Sequence, residues 1–98
     1  MLPSNRVLPH PGEILAEEFM RPLGVSNNAL ARALHVPPSR ISAIVNGERA
    51  VTADTALRLA CYFGTTPEFW IGIQSGHDLS KAQAESGKRI ATEVQAHG

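Results

Sequence analysis

Apolar residues in this chain recur three and four positions apart, in short runs broken by glycine and proline. That spacing marks helices with one buried face. No stretch alternates apolar and polar β-branched residues, so the expected fold is all-α. The first helix is expected over residues 11–20: Pro11 suits the first helical position, Glu13 suits the first turn, and Leu15 and Phe19 face the core, with Pro22 and Gly24 ending it. A second, over residues 27–34, is capped by Ser26 and striped by Leu30 and Leu34, after which Val36 enters the core. A third, over 38–45, opens at Pro37-Pro38, buries Ile41, Ile44 and Val45, and stops at Asn46-Gly47. A fourth, over 53–63, is capped by Thr52 and stopped by Gly64; Leu57, Ala60 and Cys61 share its buried face, with Leu59 and Phe63 beside it. A fifth begins at Pro67 behind Thr66, carries Phe69, Trp70 and Ile73, and is interrupted at Gly76. The tail from Asp78 onward is polar and helix-prone, with a thin stripe of Leu79, Ala82, Ile90 and Val94 broken at Gly87.

Composition narrows the class. Ninety-eight residues, 43% of them hydrophobic, make one small folded domain, which a partner or second copy often completes. No apolar run has the length of a membrane span, and the segment MLPSNRVLPHPGE lacks the apolar stretch of a signal peptide, so the expected location is cytoplasmic. The single cysteine, Cys61, has no internal partner and is expected to be a small buried hydrophobe.

Net charge is zero, yet it is unevenly distributed. Residues 26–50 carry Arg32, Arg40 and Arg49 against Glu48, a net of +2, while the segments on either side each carry −1. The basic excess coincides with SNNALARALHVPPSRISAIVNG, residues 26–47. Two helices of about eight residues joined by a tight turn near His35–Pro37 match the helix-turn-helix arrangement, in which the second helix is positioned for the major groove. Ala31 is small enough for the helices to cross closely, and Leu30, Leu34, Val36, Ile41 and Ile44 fix the crossing.

Residue chemistry then assigns roles. Ser39, Ser42 and Ala43 suit base edges, since serine bonds either edge and alanine touches a thymine methyl. Arg40 suits guanine or, better by its position, a phosphate. Asn27, Asn28 and Arg49 suit phosphates, helped by the amides that open the recognition helix. From the residues alone a second reading stays open, a helical protein-interaction module without DNA binding, to which zero net charge and the paired prolines point.

Other chemistry finds no support. His10, His35, His77 and His97 are far apart in sequence, and none stands at ligand spacing with a cysteine or carboxylate, so no metal or other cofactor is expected. No nucleophile–base pair or phosphate-cradling glycine loop points to an enzyme.

Several phrases in order, HPGEIL, LARAL, VPPSRIS, IVNG, VTADTALRLA and FGTTPEFW, resemble the HigA antitoxins, a branch of the Xre/Cro-type helix-turn-helix regulators. The resemblance covers Pro9 to Gln74 and fades in the tail. It implies a compact five-helix lambda-repressor-like domain over residues 9–74 and a helical C-terminal extension over 75–98. It implies a homodimer that binds a palindromic operator in its own promoter, represses transcription, and neutralises HigB, a ribosome-dependent mRNA-cleaving toxin. A stand-alone repressor of the same type, without a toxin, is the nearest alternative.

The DNA-reading role carries over to Ser39, Arg40, Ser42 and Ala43. The resemblance also implies that the end of the fifth helix forms the dimer, through Phe69, Trp70, Ile73 and Leu79, with half-sites about 10 bp apart. One departure concerns Pro37 and Pro38: typical members place serine or threonine at the recognition-helix cap, and proline removes both the capping oxygen and a donor to phosphate.

Overall fold

The computed structural model describes residues 6–97; residues 1–5, where the N-terminal segment read above begins, and Gly98, at the end of the expected extension, lie outside the described residues. Every regular element among the described residues is helical. The helix here called α1, residues 11–23, is built of Pro11–Ile14, a π-helical stretch Leu15–Met20 and a last turn Arg21–Leu23. His10 caps it, its Nδ1 accepting the Gly12 N–H at 2.9 Å. The helix was expected to end at Met20, but it passes through Pro22. Proline lacks the N–H that would bond four residues back, and its ring crowds that carbonyl. The wider π turn absorbs the mismatch: the Arg21 N–H bonds to Ala16, five residues back. Gly24, at φ 65°, then closes the helix.

Helix α2 runs Asn27–Leu34 and α3 runs Pro38–Val45. Ser26 Oγ accepts the Ala29 N–H at 3.1 Å and caps α2. The other end carries the tight turn. His35 takes the left-handed conformation at φ 59°, the one non-glycine to do so among the described residues. Its N–H bonds to Arg32, and the Val36 N–H reaches back to Ala31 at 3.0 Å. This paired closure turns the chain sharply and drops Val36 into the core. Helix α3 ends by the same device at Gly47, φ 76°, with the Glu48 N–H on Ala43 at 2.8 Å.

Helix α4, Ala53–Phe63, is capped by Thr52 and closed by Gly64. Its buried residues are Thr55, Ala56, Leu59 and Ala60. The expected face was turned from this by part of a turn. Leu57 is 57% exposed and Cys61 is also exposed, so neither is core. Apolar residues on α4 cover more than one side, and the packing partners decide which side goes in.

Helix α5, Pro67–Glu93, is continuous through Gly76, where an interruption was expected, and through Gly87. Glycine inside a helix costs about 1 kcal/mol relative to alanine, and twenty-seven residues of helix outlast that cost. Gly76 has a packing reason: a Cβ there would stand 3.3 Å from Leu8 Cδ1. The N-terminal segment lies along this surface. Ser80 Oγ accepts the Leu8 N–H at 2.9 Å, and His77 Nδ1 lies 2.7 Å from the Leu8 carbonyl oxygen.

Trp70 is fully buried and donates its indole N–H to Thr65 Oγ1 at 2.8 Å. Its ring lies 5.0 Å from Phe19, which also meets Phe63 at 5.0 Å, so this cluster joins α1, α4 and α5. Beyond Ser80 the helix leaves the core and every side chain is half-buried at most. This stem stretches the molecule to 52 × 24 × 23 Å, with a radius of gyration of 16.0 Å against about 13 Å for a compact chain of this length.

Candidate nucleic-acid interface

Helix α3 has one face locked into the protein. Ile41 and Ile44 are fully buried, and the start of α1 packs beneath its end. A Cβ on Gly12 would fall 1.7 Å from the Ile44 carbonyl oxygen, so only glycine admits this approach. The rest of α3 faces outward. Ser39 is exposed; Ser42 and Ala43 are half-buried beside it. Asn27, at the start of α2, donates from Nδ2 to Ser42 Oγ at 3.4 Å, which places an expected phosphate ligand against an expected base reader. Asn28 and Arg49 are exposed at the two flanks.

The amides that open α3 contribute less than expected. Pro37 caps nothing with its side chain, Pro38 has no N–H, and the Arg40 N–H bonds to the Pro37 carbonyl at 3.0 Å. Helix α2 has an ordinary start, with the Asn27 and Asn28 amides in the positions a helix leaves without an internal partner.

Arg40, expected at guanine or a phosphate, lies partly covered. Its side chain is 25% exposed and runs along the domain toward α4, with Nη1 3.4 Å from Asp54 Oδ2. Its Nε is buried with no hydrogen-bond partner among the described residues. The same Asp54 oxygen accepts from Arg58 Nε at 2.9 Å. Arg58 in turn donates from Nη1 to the Leu34 carbonyl oxygen at 2.9 Å, on the last turn of α2. The Arg58 hydrogen bond, aided by the charges of Arg58 and Arg40, holds the Asp54 carboxyl below the usual carboxylate range. Asp54 and Arg58 were not singled out from the sequence as part of the site. Their spacing, an acid four residues before a base on one helix, reads as an ordinary surface pair. Their tie to Leu34 and Arg40 exists only once α4 is packed across the turn.

The residues expected at a dimer surface divide. Trp70 is corrected to monomer core, since it has no exposed surface to offer. Ile73 is partly buried against that core, and Leu79 is 62% exposed. Leu57 and Ile71, absent from the sequence reading of this surface, are exposed and line one shallow apolar groove between α4 and α5, with Ala53, Ala56 and Gly72.

Among the described residues no group of three or more His, Cys, Asp or Glu side chains could hold a metal ion, and no helix is long and apolar enough to cross a membrane.

Residues 17–70 match the helix-turn-helix family model described as HTH_3. Virulence-associated protein I of Dichelobacter nodosus is 54% identical over 76 residues, covering 78% of this chain and 70% of that protein. Against three other curated relatives, each 44% identical, the chain spans 61–64% of their length. Among solved structures, an addiction module antidote protein of a HigA family from Coxiella burnetii is 51% identical with a TM-score of 0.88, covering 94% of this chain and 100% of that one. The Pseudomonas aeruginosa antitoxin HigA, solved with the higBA promoter, is 44% identical with a TM-score of 0.86, covering 89% of this chain and 95% of that one.

Proposed function

From the premise that this chain belongs to the helix-turn-helix family, in its HigA-type antitoxin branch, we propose that it is a DNA-binding antitoxin that represses its own promoter and neutralises a HigB-type mRNA-cleaving toxin. One observation carries the DNA reading. Helix α3 is anchored on one side by Ile41, Ile44 and the Gly12 contact, and turns Ser39, Ser42 and Ala43 outward between the flanking Asn27, Asn28 and Arg49. A rigid helix with small polar and methyl side chains outward and phosphate ligands at its edges fits a major groove.

In this reading Ser39, Ser42 and Ala43 meet base edges, Arg40 borders them, and Asn27, Asn28 and Arg49 grip the backbone. Two copies on a palindrome put the recognition helices about one DNA turn apart. Leu57, Ile71 and Leu79 give a second copy an apolar surface, with Ile73 supporting it from below. Residues 9–74 carry the DNA-reading domain and 75–98 the helical extension. The protein works in the cytoplasm, where the promoter and the toxin's ribosomal target are found.

The test is an anisotropy titration of the protein with its own promoter duplex and a scrambled duplex at two salt concentrations. Tight, salt-sensitive, promoter-selective binding is the expected result. Equal or absent binding would leave a helical protein-interaction module, the reading that zero net charge and the Pro37-Pro38 cap favour. Co-purification with the product of an adjacent small reading frame, and loss of that product's mRNA cleavage in the complex, tests the toxin half.

A further inference from the structure

The oxygen Oδ2 of Asp54 serves two guanidiniums, and they are held unequally. Arg58 is anchored at two points: Nε is on Asp54 at 2.9 Å and Nη1 is on the Leu34 carbonyl at 2.9 Å. Arg40 is not. Among the described residues its guanidinium has one polar contact, the 3.4 Å approach to Asp54, and its buried Nε has no partner. A guanidinium has five N–H donors, so most of the hydrogen-bonding capacity of Arg40 is unused. Two cations against one carboxylate leave a net +1 beside the first turns of the recognition helix.

Binding to arbitrary DNA comes almost wholly from cation–phosphate contacts, whereas base contacts form in one register only. A long, free arginine beside the reading face strengthens the first kind of binding and blurs selection by the second. We propose that Asp54 is a specificity-determining residue for operator binding, holding the Arg40 guanidinium against the side of α4 and so withholding its charge from indiscriminate phosphate contact. Selection then falls to Ser39, Ser42 and Ala43. Asp54 touches no base in this arrangement; it acts through Arg40 and is a positioning residue. The inference rests on the DNA-binding reading above.

The experiment compares the wild-type protein with Asp54→Asn, Asp54→Glu, Arg40→Gln and the double variant Arg40→Gln/Asp54→Asn. Each is titrated by anisotropy with promoter and scrambled duplexes across a salt series. Asp54→Asn is expected to bind the scrambled duplex about three- to tenfold more tightly, with a log–log salt slope steeper by about 0.9, the value for one added phosphate contact. Its promoter-to-scrambled ratio falls. Asp54→Glu restores the wild-type slope and ratio, and the double variant shows no gain over Arg40→Gln. An unchanged slope and ratio in Asp54→Asn, or a gain that persists without Arg40, overturns the inference. Should Asp54→Asn fail to fold, Arg40→Gln decides: a charge already withheld leaves the wild-type slope on scrambled DNA unchanged, and a slope shallower by about 0.9 refutes the withholding. A wild-type protein that does not prefer its promoter instead sinks the DNA reading itself, before any variant is compared.

Discussion

Gly12 and Ile44 meet backbone to backbone, so closely that a Cβ on Gly12 would fall 1.7 Å from the Ile44 carbonyl oxygen. The first turn of α1 thereby seats the end of the recognition helix, and His10, which caps that turn, also lies beside Gly47. A single methyl group at position 12 would force the two backbones apart. Gly12→Ala is expected to destabilise the domain by at least about 1–3 kcal/mol, the range for overpacking. Thermal melting followed by circular dichroism measures it. A melting temperature equal to the wild type would show that α1 and α3 slide without cost.

The same capping turn makes stability depend on pH. His10 Nδ1 accepts the Gly12 N–H, which requires the neutral ring at that nitrogen. Burial, and then the neighbouring His77 at a ring separation of 5.1 Å, push the His10 pKa below its ordinary 6.5, with Asp78 partly opposing. The unfolded chain therefore takes up the proton more readily than the folded one. Stability from this site is fully present above pH 6.5 and declines as pH falls below it. His10→Asn keeps a side-chain acceptor at the cap but cannot titrate there, so its melting temperature should change less between neutral and mildly acidic buffer. An equal pH dependence in the variant and the wild type would place the sensitivity elsewhere.

Arg49 is exposed at the flank of the reading face. Arg49→Ala should weaken promoter and scrambled DNA by the same factor and make the salt slope shallower by about one, the signature of a lost phosphate contact. Its melting temperature should hold, because an exposed charge adds little to stability. A selective loss on promoter DNA alone would assign Arg49 to a base edge instead.

The apolar groove between α4 and α5 gives a test of self-association. Ile71→Asp places a charge on an exposed position beside Leu57 without touching the core. It should shift the protein toward monomer in analytical ultracentrifugation and weaken promoter binding, since each copy then holds only one half-site. A dimer undisturbed by Ile71→Asp would move the interface to the stem beyond Leu79.

A deeper truncation checks the helix phasing. Leu30 is fully buried in α2. Leu30→Ala is expected to cost about 2–5 kcal/mol, as buried leucine truncations do, and urea titration reads it directly. A neutral result would mean that α2 faces the other way.

Much of this was legible along the chain. Ser26, Thr52 and Thr66 announce their helices because an N-cap acts on amides two or three residues away. Leu30, Leu34, Ile41 and Ile44 announce the helix-turn-helix core because their spacing admits one buried face. The outward positions of α3 follow from that phase, since what is not turned inward is turned out.

Other features were written too far apart to read. The buried side of α4 was misjudged by part of a turn, because its apolar residues cover more than half its circumference. Only contact with the rest of the core leaves Leu57 and Cys61 outside. The small residue at Gly76 meets Leu8, 68 positions earlier, which lies across α5 there. Trp70 became core because Phe19 and Phe63 close around it. The path of Arg40 is set by Asp54, and the turn after α2 is braced by Arg58, both on a helix whose own sequence shows only a local ion pair. Caps, periodicity and turn residues act over one or two helical turns, so the sequence by itself determined the five helices, their order and the motif. Helix rotation, which arginine is held back and which apolar face stays open depend on contacts between segments distant along the chain, and those the tertiary structure alone decided.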